Sequence, residues 1–119
     1  MDYAIYAVRV FVTDWPRALE FYTQTLGMRT ALAMDGWAEF DTGAAHLAIE
    51  RVDPADPEAR TSVGRFVGVS LSVPDVDAAY RALTQRGVVF VAPPERQPWG
   101  GVLAHFKDPD DNVLSLLGR

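Results

Sequence analysis

Ala7 to Gly27 reads AVRVFVTDWPRALEFYTQTLG, and Gly68 to Gly87 reads GVSLSVPDVDAAYRALTQRG. The two stretches share one grammar. Val8, Val10 and Val12 alternate in the first, and Val69, Leu71 and Val73 in the second, so each opens as a strand with one apolar face. Each strand runs into an aspartate suited to cap a helix, Asp14 or Asp75. A helical period follows: Trp15, Ala18, Leu19, Tyr22 and Leu26 form one stripe, and Val76, Ala79, Tyr80 and Leu83 the other. Gly27 and Gly87 then stand where a left-handed helix end is wanted, thirteen and twelve residues after their aspartates.

Working outward, each helix is followed by three strand-like pieces. In the first half these are MRTALAM, GWAEF and AHLAIERV, with DTGA as a turn; in the second they are VVFVA, GVLAHFK and NVLSLL, with DPDD as the turn. Caps, periods and element order agree, so the chain reads as β-α-β-β-β written twice. The expected organisation is one α+β domain over 1–119, with modules at 1–52 and 65–119. The polar, proline-containing stretch 53–64 joins them.

Composition narrows the function. About half of the 119 residues are apolar, an ordinary globular balance. A net charge of −5 argues against a nucleic-acid phosphate binder and is compatible with a cationic small molecule. No apolar run reaches the roughly 20 residues of a membrane span. MDYAIYAVRV lacks the features of a signal peptide, so a cytoplasmic location is expected. With no cysteine, disulfides, thiolate zinc sites and cysteine nucleophiles are excluded.

VTDWPRALEFYTQTLGM resembles the signature helix of the vicinal oxygen chelate superfamily, which contains glyoxalase I, extradiol dioxygenases and the fosfomycin- and bleomycin-resistance proteins. SVPDVDAAYRALTQRGV and FKDPDDNVLSLL resemble its second-half segments. The resemblance implies two mixed, curled sheets forming a half-barrel cavity with the helices outside. It also implies four metal-ligand positions, on the first and last strand of each module. These fall on Ala7, Ala48, Gly68 and Ser115. Two alanines and a glycine carry no donor atom, and a lone hydroxyl is a poor ligand for the divalent metals of the family. No cofactor is therefore expected.

Alternation also assigns the faces. Ala7, Arg9 and Phe11 share one face, as do His46, Ala48 and Glu50, and Ser70, Ser72, Ser115, Leu103 and His105 join the corresponding face of the second module. This mixed surface is a candidate small-molecule site. His46 and His105 read either as ligand partners or as strand residues bonded to neighbours or solvent. Arg9 reads as a clamp for an anion or as a surface ion pair, and Glu50 as a site residue or a solvated strand end. A relocated metal on His46, Glu50 and His105 meets a spacing problem, because residues four apart on a strand are separated by about 13 Å.

ERQPWGG, Glu95 to Gly101, places a tryptophan on a turn. It resembles the Pro-Trp-Gly turn of the bleomycin-resistance branch, where antibiotic is sequestered between two subunits without chemistry. Trp99 either offers its indole to a ligand or closes the barrel rim. The expected function is metal-independent binding of an aromatic or cationic small molecule, such as an antibiotic, by a homodimer. The expected contacts are Trp99, Arg9, Phe11, His46, His105, Glu50 and Ser115. The rivals are a metal-dependent lyase, isomerase or dioxygenase with displaced ligands, a metal-free enzyme using His46 or His105 as base, and a plain interaction module.

Overall fold

The computed structural model of the chain describes residues 1–119. Strand β1, Ala7–Val12, leads to helix α1, Trp15–Glu20. Asp14 caps that helix by accepting the Arg17 N–H at 3.3 Å. The helix widens into a π-type segment over Phe21–Thr25, where the Leu26 N–H reaches back five residues to the Phe21 carbonyl. Gly27 ends it at φ +72°, the left-handed conformation expected of it. Strands β2 (Arg29–Met34), β3 (Trp37–Asp41) and β4 (His46–Arg51) complete the first module. The sheet order is β1-β4-β3-β2, with β1 and β4 parallel and the other pairs antiparallel.

The joining stretch contains one helical turn, α2, at Ala59–Ser62, where the sequence predicts only a polar linker. Strand β5, Phe66–Val73, then runs to helix α3, Val76–Gln85, capped by Asp75 on the Ala78 N–H at 3.0 Å. The sheet is completed by β6 (Val89–Phe90), β7 (Glu95–Arg96), β8 (Val102–Lys107) and β9 (Val113–Gly118). Its main path is β5-β9-β8-β6, with β7 also on β8 and β5 parallel to β9. The sequence reading extended β6 too far and missed β7. Pro93 and Pro94 lie between the two short pieces and supply no backbone N–H to a ladder.

The molecule is therefore an α+β fold of two mixed sheets with no closed barrel. The inner faces of the two sheets share one apolar cluster: Val10, Val12, Phe40 and Ile49 from the first, Phe106, Leu114 and Leu116 from the second. Helix α1 and its π-type extension bridge them. Tyr22 stacks on Phe40 with ring centres 5.7 Å apart, and Phe21 lies 6.4 Å from Phe106. No helix is long and apolar enough to cross a membrane. The faces turned away from this shared core are where the candidate site residues lie.

Candidate functional site

Cross-strand register sets the outer face of the first sheet in rows. Met34, Trp37, Glu50 and Phe11 form one row, Leu32, Glu39, Ala48 and Arg9 the next, and His46 and Ala7 a third. Glu39 lies near the middle and is 3% exposed. A carboxylate this covered needs partners. It has three: the Tyr6 hydroxyl at 2.9 and 3.0 Å, Trp37 Nε1 at 2.8 Å and His46 Nδ1 at 2.7 Å. The His46 hydrogen bond, then that of Trp37, holds the Glu39 carboxyl below the usual range against the opposing effect of burial, and Tyr6 adds to it. The same bond to Glu39 raises the Tyr6 phenol.

Tyr6 precedes β1, and Glu39 is two strands away, so the phenol spans β4 to reach it. Elsewhere on this face, Arg9 donates to Glu50 at 3.2 Å and lies 5.3 Å from the centre of the Phe11 ring. Arg9 and Glu50 form a partly exposed ion pair. Met34, 55% exposed, and Leu32 leave apolar area uncovered beside Trp37.

On the outer face of the second sheet, His105 Nδ1 and Ser115 Oγ are 2.6 Å apart, and Phe66 meets the His105 ring edge-on at 5.5 Å. Trp99 belongs to the turn between β7 and β8 and is 65% exposed. Its indole lies directly over Gly101, where any Cβ would enter the ring. With Leu117 and Arg119 it borders a hollow of about 320 Å³.

The seven sequence-predicted site residues thus fall into two groups. Arg9, Phe11, His46 and Glu50 come together on one sheet, and His105 and Ser115 on the other, with Trp99 at that second sheet's rim. No hollow takes in residues of both groups; one of about 220 Å³ sets His46 beside Ser70 and Ser72 of β5. The largest hollow, about 410 Å³, lies between the modules on the inner side, lined by Met28, Leu71, Leu83 and Phe106 among others. It takes in none of the seven. Its one carboxylate, Asp41, already accepts the Gly43 N–H at 2.8 Å.

The donor set does not fit a metal. Ala7 and Ala48 offer none, and Ser115 is engaged with His105. Gly68 has φ +79° at an irregularity in the β5–β9 register, so the backbone itself calls for glycine there. No three His, Asp or Glu side chains converge anywhere in the molecule. His46, Glu50 and His105 are each paired separately, with Glu39, Arg9 and Ser115.

Sequence reasoning missed Glu39 and Tyr6. The signal for Glu39 was present: it alternates with Ala38 and Phe40 and so belongs to the face of Trp37, as an acid flanked by apolar strand residues. Tyr6 gave none, because it precedes the strand and its reach depends on tertiary structure.

Residues 4–116 match the model of the Glyoxalase/Bleomycin resistance protein/Dioxygenase superfamily. The chain is similar to a solved member of that superfamily from Sphaerobacter thermophilus, with 31% identity, a TM-score of 0.80, and coverage of 100% of this chain and 98% of that one. It is also similar to TnmS3, an antibiotic binding protein from Streptomyces sp. CB03234, with 32% identity, a TM-score of 0.74 and coverage of 97% and 94%. A lactoylglutathione lyase from Agrobacterium tumefaciens shares the fold alone, with 20% identity, a TM-score of 0.75 and coverage of 99% and 95%.

Proposed function

The chain belongs to the Glyoxalase/Bleomycin resistance protein/Dioxygenase superfamily, and from that premise we propose that it binds and sequesters an aromatic or cationic small molecule without a metal. One observation carries the reading. The four family ligand positions hold two alanines, a glycine in left-handed backbone and a serine already paired with His105. Lewis-acid chemistry needs imidazole or carboxylate at such positions. The similarity to an antibiotic binding protein at 32% identity supports the binding side of the proposal.

The cavity of this reading forms between two copies. Each chain presents two outer faces pointing away from its core, one carrying Trp37, His46 and Glu39, the other Phe66, His105 and Trp99. A homodimer that sets the first face of one copy against the second face of its partner encloses both sets. Trp99 then supplies a flat, apolar wall at low rotamer cost.

Calorimetric titration with a panel of aromatic and cationic antibiotics, bleomycin included, tests this. Binding by chelator-treated protein, weakened at least tenfold by Trp99→Ala, is the expected result. Unchanged affinity in that variant places the site elsewhere, and binding that appears only with stoichiometric metal overturns the proposal.

A further inference from the structure

The Glu39 cluster fixes which end of His46 a ligand meets. Trp37 Nε1 is a donor only, and it points at Glu39 Oε2 from 2.8 Å. His46 Nδ1 lies 2.7 Å from Oε1 of the same carboxylate. Glu39 is held as the ionised form, which can only accept. Nδ1 must therefore carry the proton, and in the neutral ring Nε2 is left as a bare acceptor. His105 has no such constraint, since its partner Ser115 is a hydroxyl that donates or accepts.

We infer that the outer face of the first sheet selects a neutral aromatic molecule carrying a hydroxyl, whose O–H donates to His46 Nε2 while its ring lies on the apolar surface of Trp37, Met34 and Leu32. Glu39 is the positioning residue that makes His46 an acceptor. The inference rests on the binding reading above and narrows its ligand. A cation finds little on this face, because Glu39 is occupied by three donors and Glu50 by Arg9.

The same geometry predicts what Glu39→Gln does. Trp37 still needs an oxygen, so the new amide turns its oxygen to Trp37 and its NH₂ to His46. His46 Nδ1 must then accept, and its proton moves to Nε2. Nε2 changes from acceptor to donor while the apolar surface stays as it was.

The test uses a matched pair of probes, 2-naphthol and 2-methoxynaphthalene, which differ in the ability to donate. The full-length wild-type protein is expected to prefer 2-naphthol by about tenfold, the worth of one net hydrogen bond. His46→Leu is expected to bring the ratio to about one while 2-methoxynaphthalene keeps its affinity. Glu39→Gln is expected to erase or reverse the preference, with ¹⁵N spectra of the ring showing the proton transferred from Nδ1 to Nε2. Equal binding of both probes by wild type, or a preference that survives both substitutions, overturns the inference and leaves the binding proposal standing. Failure of the wild type to bind any aromatic probe or drug overturns both.

Discussion

At the scale of single residues, the outer face depends on what surrounds one carboxylate. Glu39 is lowered in the folded state, so it contributes stability that is present above its unfolded value and lost as pH falls through its folded one. Tyr22 is the opposite case. Burial, then the Asp108 charge, raises its phenol well above the ordinary value of 10.0. A raised group contributes fully below its unfolded value and loses that contribution as pH climbs toward the folded one. Denaturant unfolding measured from pH 8 upward should therefore show stability falling above about pH 10, and Tyr22→Phe should lessen that fall. The same substitution removes the 2.8 Å bond to Asp108, at a cost near neutrality of about 1.5–3 kcal/mol if the acceptor is ionised. Gly101→Ala drives a methyl into the Trp99 indole. A shift of the Trp99 fluorescence with little change in the unfolding midpoint is expected, because this turn is exposed and the ring swings away rather than unfolding the core. A large drop in midpoint would show that the turn is part of the fold's stability.

Among the elements, the two module helices α1 and α3 were legible because their ends are written locally. Asp14 and Asp75 each accept an N–H three residues on, Gly27 and Gly87 turn the chain through their own positive φ, and all four do what their positions announce. Asp75→Ala should destabilise by about 1 kcal/mol in thermal melts. Asp14→Ala should cost less, its cap bond being longer at 3.3 Å against 3.0 Å. The alternating valines gave the inner faces for the same reason, since period two is a property of the chain alone. The irregularity in β5 was not legible. Gly68 looked like a missing ligand, and only the shifted register with its φ of +79° shows a backbone need. Gly68→Ala should accordingly destabilise by roughly 1–2 kcal/mol, the penalty of a side chain in left-handed backbone. The site was half legible. Alternation placed Arg9, His46 and Glu50 on one face, yet the Tyr6 and His46 bonds to Glu39 depend on three strands meeting in register, which no local pattern states.

Across the whole molecule, the turn of β8 and β9 fastens the modules together. Fully buried Asn112 donates to the Phe11 carbonyl at 2.8 Å and accepts the Gly64 N–H at 2.8 Å, and it also bonds Asp108. Asp110 accepts from the Thr13 N–H at 3.1 Å. Asn112→Ala leaves several of these groups unpaired at about 1–3 kcal/mol each, so the melting temperature should fall markedly while far-ultraviolet dichroism stays close to native. The proposed dimer, which builds each ligand site between two copies, makes a further demand. Mixing His46→Leu chains with Trp99→Ala chains should regain binding, since one of the two sites in each mixed dimer then holds both intact residues. The most direct test of metal-independent binding is calorimetry on chelator-stripped protein, repeated after loading with zinc, manganese, nickel or iron. The same affinity for an aromatic ligand in every state is the result expected here; a ligand that binds or turns over only in the metal-loaded protein would contradict it.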